Sequence, residues 1–310
     1  MTNTATKVSF SLTILGSSSA LPTSERNPSA HAITLHERVF LVDCGEGTQM
    51  QIRKNKIRLS RIHHIFITHL HGDHTFGIYG LLSTLSLTGR ESPLVIYAPS
   101  GFEKILTAHL ADYDVKLNFP LEIVSLSGKG PVEILSTKDL TVTAIPMKHR
   151  IPCFGFIFRE KERERNIRKE ALAQYQIPLA SLPGLKRGDD LILDDGTIIE
   201  NHVLTTDPPV PRSCAILGDT SYFSRLPGML KGVDLLYHEA TFDESLHKLA
   251  KQTGHSTSAD AARVALESSS GKLIIGHFSA RYRHSSVLVE QARAIFPETY
   301  AAFDGLRVEL

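Results

Sequence analysis

The segment HIFITHLHGDHTFG, residues 64–77, places His69, His71, Asp73 and His74 within six positions. Imidazole and carboxylate together suit zinc and, with further carboxylates, manganese or iron. Residues two apart on an extended or turning segment point the same way. His69 and His71 can therefore converge on one ion while Leu70 faces elsewhere. Gly72 permits a sharp turn that carries Asp73 and His74 toward a second ion. A single histidine is usually a satisfied core or surface residue. Three with an aspartate, set between an apolar run and a second apolar run, point to metal.

Two ions need more donors than this segment supplies. Four candidates follow apolar strand-like runs or stand in a tight loop: His149 after LTVTAIPMK, Asp219 after CAILG, His277 after KLIIG, and His255 in TGHSTS. The repeated placement of a polar ligand after an apolar run predicts strand ends gathered at one rim.

The elements that must position these residues are legible in outline. VSFSLTIL, HAITLH, RVFLVDCG and HHIFITH read as strands in the first third. FGIYGLLSTLSL has helical spacing, with Phe76, Tyr79, Leu82 and Leu85 predicted on one face and Gly89 as the stop. LEIVSL, VEIL, LTVTAIPM and FGFIF are strands in the middle. CAILGDT, VDLLYHEAT and KLIIGHF are strands in the last third, separated by helical stretches such as TSADAARVALESS. Strands in both halves with helices between them predict an α/β protein of two layers packed together, helices outside. Between them, Arg159 to about Thr206 is charge-rich, with Pro178, Pro183, Gly184 and Gly188, and little apolar periodicity. It is expected to be an excursion from the main domain without a core of its own.

Composition sets the frame. The 310 residues suit one large domain with an insertion, and 42% hydrophobic content is ample for a core. A net charge of +1 gives no bulk attraction for a polyanion, so any basic surface is local. The opening MTNTATKVSF lacks an apolar stretch of signal-peptide length, and no run is long enough to span a bilayer. Cys44, Cys153 and Cys214 are odd in number and far apart. Buried thiols in a reducing cytoplasm, with no membrane association, are the expectation.

THLHGDH, followed in order by a histidine, an aspartate and a histidine, resembles the metallo-β-lactamase superfamily. GSSSALPTSERN, DCGEGTQ, HEAT, GHST and IIGHFSARY narrow the resemblance to the ribonuclease Z family, from about Leu12 to Phe303. That resemblance implies a four-layer αββα sandwich spanning residues 1–310 as a single domain, with residues 159–206 as an inserted, protruding arm that grips transfer RNA. It implies two zinc ions per chain. His69, His71, His149 and Asp219 would hold one, and Asp73, His74, His277 and a bridging Asp219 the other. Asp73 would take the proton of the attacking water. His255, helped by Glu239, would assist the departing oxygen, and Asp43 would fix a ligand histidine's tautomer. Asp43 as a cap for the helix beginning near Gly47 is the plainer alternative. The implied activity is zinc-dependent endonucleolytic removal of the 3′ trailer from transfer-RNA precursors by a homodimer. The family's P-x-K-x-R-N loop stands here as PTSERN, with Ser24 at the lysine position. Two other readings are a less selective phosphodiesterase of the same fold and a non-catalytic, metal-stabilised RNA-binding protein.

Overall fold

Alternation along each strand decides which neighbour each side chain meets. In the strand Arg38–Val42, Val39 and Leu41 join a buried cluster that includes Ile52, Ile78, Leu81, Leu82, Phe102 and Leu106 from three helices. Phe40 between them points the other way, 5.8 Å from the ring of Phe158. Phe66, ending the strand Ile62–Phe66, likewise meets Phe156 at 5.2 Å. The first set packs helices onto a sheet; the second packs that sheet onto another.

This computed structural model describes residues 9–310. The first sheet has seven strands in the order Arg307–Glu309, Phe10–Gly16, Ala30–Leu35, Arg38–Val42, Ile62–Phe66, Leu94–Pro99, Leu121–Leu126. The second also has seven, in the order Thr299–Ala301, Lys272–Gly276, Leu235–Glu239, Ser213–Ile216, Phe154–Glu160, Leu140–Pro146, Val132–Ser136. Parallel pairing joins Arg38–Val42, Ile62–Phe66, Leu94–Pro99 and Leu121–Leu126 in one sheet. It joins Ser213–Ile216, Leu235–Glu239, Lys272–Gly276 and Thr299–Ala301 in the other. Parallel strands send their carboxyl ends to one edge, where side chains from successive strands can meet. Backbone bonds fasten the two sheets there: Phe154 N–H donates to Thr68 O at 2.9 Å and Phe278 N–H to Ser17 O at 3.0 Å. Among the described residues no helix is long and apolar enough to cross a membrane.

The helix face predicted after Gly72 is corrected. In the helix Gly77–Leu87 the buried stripe is Ile78, Leu81, Leu82 and Leu85, whereas Phe76 is 65% exposed and Tyr79 only half-buried. Both stripes have helical spacing. The choice is made at Gly77, whose N–H donates to Cys44 O at 2.8 Å and whose position would put a Cβ 2.0 Å from Gly45 O. That close approach fixes the helix rotation.

The described chain divides into two compact units. The larger holds residues up to Leu135, Val142–Phe158 and Arg212–Leu310; the smaller holds Ser136–Thr141 and Arg159–Pro211. The smaller unit has a core, contrary to the sequence reading: Ala171, Ile177, Leu185, Leu191 and Leu204 are buried together. These residues are six to thirteen positions apart, four on separate short elements and Ile177 between two of them, so no window shows their periodicity. Several of this unit's cations are engaged internally. Arg165 Nε donates to Thr205 Oγ1 at 2.7 Å, Arg168 Nε to Thr205 O at 3.0 Å, and Lys186 faces Glu164 at 4.0 Å.

Candidate metal centre

Every candidate ligand lies in the larger unit, just past a strand end or in a loop beside one. His69, His71, Asp73 and His74 follow the strand Ile62–Phe66, His149 follows Leu140–Pro146, Asp219 follows Ser213–Ile216, and His277 follows Lys272–Gly276 directly. Asp219 reaches the site past Gly218, where a Cβ would lie 2.7 Å from each of Cys153 Sγ, Phe154 O and Thr68 Cβ. Asp43 and His277 each take a left-handed backbone at a strand end, φ 57° and φ 59°. A non-glycine residue stays there at a cost of about 1–3 kcal/mol when its surroundings hold it, a pattern common at functional sites.

The donors converge in three groups: His69, His71, His149 and Asp219; Asp73, His74 and His277; and Asp219, His255 and His277. Within each, the donor atoms lie within 4.8 Å of one another. Asp219 belongs to two groups and stands 3.5 Å from His69 Nε2, 3.7 Å from His74 Nε2 and 3.4 Å from His277 Nε2. Among the candidate ligands, three buried ring nitrogens, Nε2 of His74, His149 and His277, have no hydrogen-bond partner. Buried polar atoms are normally paired, so convergent orphans ask for a ligand. The opposite nitrogens are held. His74 Nδ1 donates to Asp43 Oδ2 at 2.7 Å and His149 Nδ1 to Gly254 O at 2.8 Å. His69 Nδ1 and His277 Nδ1 meet the hydroxyls of Thr68 and Thr241 at 3.0 and 2.9 Å. Ligating histidines are characteristically oriented this way. Imidazole nitrogens converging beside two carboxylates, Asp73 and Asp219, fit a divalent metal ion.

The electrostatics agree with that donor set. Burial lowers His69 well below the usual histidine value and lowers His149 as well. Burial alone would raise Asp73 and Asp219, but the imidazoles of His74 and His277 outweigh it and hold both carboxyls well below their ordinary range. Burial also opposes charge on His74, yet Asp43, Asp219 and Asp73 more than offset it and raise its pKa. His255 differs. Burial pulls it down, but Glu239 Oε1 at 3.0 Å from its Nδ1 and Asp219 at 3.8 Å raise it to about 9.

Glu239 is buried and accepts five hydrogen bonds, from Thr220 N, Ser256 N and His255 Nδ1 on Oε1, and from Thr241 N and Thr241 Oγ1 on Oε2. One carboxylate thus fastens three loops. Asp43 does the same on the other sheet, accepting from Thr68 N, Thr68 Oγ1 and His74 Nδ1. The helix Thr48–Lys54 begins at Gly47 with no side-chain cap, so the capping alternative for Asp43 is not used. A cavity of about 430 Å3 opens over the centre, lined by His71, Asp73, Arg150, Asp219, His255 and Arg281 among others.

Comparison with known proteins follows this geometry. A ribonuclease Z of Bacteroides fragilis is 43% identical over 97% of this chain and 99% of its own length. The chain belongs to the ribonuclease Z family. Residues 10–167 also match the family described as Anti-Pycsar protein Apyc1, so that half belongs to this family too. Human tRNase Z, short form, superposes with a TM-score of 0.69 at 28% identity, covering 96% of this chain and 98% of that one. The metallo-β-lactamase fold protein YhfI of Bacillus subtilis gives 0.70 at 17% identity, covering 98% and 100%. The two-sheet sandwich with outer helices is the metallo-β-lactamase fold.

Other residues singled out in this ribonuclease Z chain fall as follows. In PTSERN, Arg26 donates to Tyr282 O at 2.9 Å and Arg283 O at 3.2 Å and lies over the Phe278 ring, while Asn27 Nδ2 donates to Asp304 at 2.9 Å. Both hold the loop in place. Arg281 lines the cavity and lies over Phe242 at 5.9 Å; Arg283 does not line it. His238 is buried with Nδ1 on Glu239 O, and His63 and His64 are half-buried away from the donor groups. Sequence reasoning missed Thr68 and Thr241. Each stands one or two residues from a named motif residue, but a threonine there carries no signal of its own.

Proposed function

We propose that the chain is a zinc-dependent endoribonuclease that hydrolyses a phosphodiester at the 3′ end of transfer-RNA precursors and removes the trailer. Family membership over the full length supports the reaction class. The observation that carries the metal reading is the trio of buried Nε2 atoms without partners, converging on Asp219. His69, His71, His149 and Asp219 would hold one zinc ion, and Asp73, His74, His277 and Asp219 a second. When bound, zinc lowers the pKa of water and offsets negative charge on the phosphodiester.

The chain's own groups supply the rest. Asp73 lines the cavity as a carboxylate and accepts the proton of the attacking water. Against its burial, Glu239 and Asp219 raise the pKa of His255, whose Nδ1 is fixed on Glu239 at 3.0 Å and whose ring lines the cavity, where Nε2 would donate to the departing oxygen. Arg150 and Arg281 line the same cavity and offer cations to flanking phosphates. The smaller unit is the proposed transfer-RNA arm, with Arg159, Lys161, Arg163, Lys169 and Arg187 as candidate phosphate partners. A homodimer in the cytoplasm completes the reading; three buried free cysteines suit a reducing compartment.

The test is incubation with a 3′-extended transfer-RNA precursor, with and without chelator, the cut being mapped to a nucleotide. A single chelator-sensitive cut near the end of the acceptor stem is expected. Cleavage of small phosphodiesters alone would replace this reading with the less selective phosphodiesterase; binding without any cleavage would replace it with an RNA-binding protein.

A further inference from the structure

Each sheet brings one carboxylate, one threonine and two histidines to the centre in the same arrangement. On the first sheet Asp43 bonds His74 directly and reaches His69 through Thr68. On the second Glu239 bonds His255 directly and reaches His277 through Thr241. For His74 and His149 the tautomer follows at once, because a carboxylate and a carbonyl only accept. For His69 and His277 it does not, because a hydroxyl can give or take a proton.

The threonine has one proton, and its destination settles the matter. Thr241 Oγ1 lies 2.9 Å from Glu239 Oε2, and both Glu239 oxygens already accept from backbone N–H groups, Oε1 from Thr220 and Ser256 and Oε2 from Thr241. A carboxylate engaged by donors on both oxygens accepts here too, so the Thr241 proton points to it. The hydroxyl's lone pair is then all that faces His277, whose Nδ1 must carry hydrogen. Thr68 repeats the geometry: its hydroxyl lies 3.0 Å from both Asp43 oxygens, and each of these already faces a donor, Oδ1 the Thr68 backbone N–H at 2.8 Å and Oδ2 the His74 Nδ1 at 2.7 Å. Its lone pair therefore receives His69 Nδ1–H.

We infer that Thr68 and Thr241 are positioning residues that lock His69 and His277 in the Nδ1–H tautomer, so that both Nε2 lone pairs face the centre before any ion arrives, that of His277 unpartnered and that of His69 met by His71 Nδ1 at 2.9 Å. This inference rests on the zinc reading above. Val in place of Thr preserves shape and deletes the relay; Ser preserves the relay and deletes only a methyl group.

The experiment compares Thr68→Val, Thr68→Ser, Thr241→Val and Thr241→Ser with the unaltered chain by two readouts that need no turnover. Zinc affinity is measured by competition with a chromophoric chelator, and histidine tautomers by nitrogen-15 NMR on metal-free protein. Removing such a partner of a ligating histidine typically costs about 10–100-fold in metal affinity. Each Val variant is expected to lose about that much and to show its histidine as a tautomer mixture, while each Ser variant stays within a few-fold of the parent. The two sites are independent arms, so a Val variant that fails to fold at one leaves the other, and its Ser partner, decisive. Val variants that bind zinc like the parent, or keep pure Nδ1–H signals, overturn the inference. A parent chain that binds no zinc overturns the zinc reading instead.

Discussion

Replacing Glu239 by glutamine tests how the centre is held together. Glu239 is fully buried and accepts from five donors. Glutamine keeps one acceptor oxygen and turns the other into an NH2 group. If the oxygen stays toward Thr220, His255 and Ser256, the NH2 group confronts Thr241 N–H, which has nowhere to turn. If it is reversed, the N–H groups of Thr220 and Ser256 lose their acceptor. One or two buried donors are orphaned either way, at about 1–3 kcal/mol each. The expected destabilisation of metal-free protein is therefore about 1–6 kcal/mol, a large part of the roughly 5–15 kcal/mol typical of a domain. The variant should fold but denature at clearly lower urea. His255 also loses the partner that fixes its Nδ1, so single-turnover precursor cleavage should fall by about 10²–10⁴-fold, the usual contribution of a positioned acid. Urea titration of metal-free protein and single-turnover kinetics are run on the same preparations. An unchanged urea midpoint would refute the account of Glu239 as the fastening for three loops, whatever happened to the rate.

Asp73→Ala should abolish nearly all cleavage while precursor affinity, measured by filter binding, changes little, because the residue lies in the cavity and not in the smaller unit. Replacing Arg159–Pro211 with a short Gly-Ser bridge should spare metal binding and hydrolysis of a chromogenic phosphodiester but cripple precursor cleavage. The bridge is short because Phe154–Glu160 and Ser213–Ile216 are neighbours in the sheet, with strands about 4.8 Å apart. Cutting at Asp190 instead should give poorer protein, since Leu191 and Leu204 would lose Ala171, Ile177 and Leu185 as core partners. Metal analysis after dialysis against zinc should return about two ions per chain, and exhaustive chelation should remove activity that added zinc restores.

The candidate donor set was legible because its signal is local. A donor at or shortly after the end of an apolar run is visible one segment at a time: His69, His149, Asp219 and His277 have that setting, and His71, Asp73 and His74 follow His69 within five residues. Strand types followed from the same apolar runs. What the sequence left open depends on which segments become neighbours. Asp43 meets Thr68 only because Arg38–Val42 and Ile62–Phe66 pair in parallel with Val42 opposite Phe66. Thr241 meets His277 because Leu235–Glu239 pairs with Lys272–Gly276, setting Glu239 opposite Gly276. The rotation of the helix Gly77–Leu87 was undecided between two stripes until Gly77 met Gly45. The core of the smaller unit is built from residues too far apart for any periodic signal. Sequence alone thus determined which atoms can hold metal, since that is a property of residue type and of its place after a strand. The tertiary structure decided how those atoms are oriented and which hydroxyls and carboxylates orient them, since a hydrogen bond between distant segments exists only once strand pairing has brought them within 3 Å.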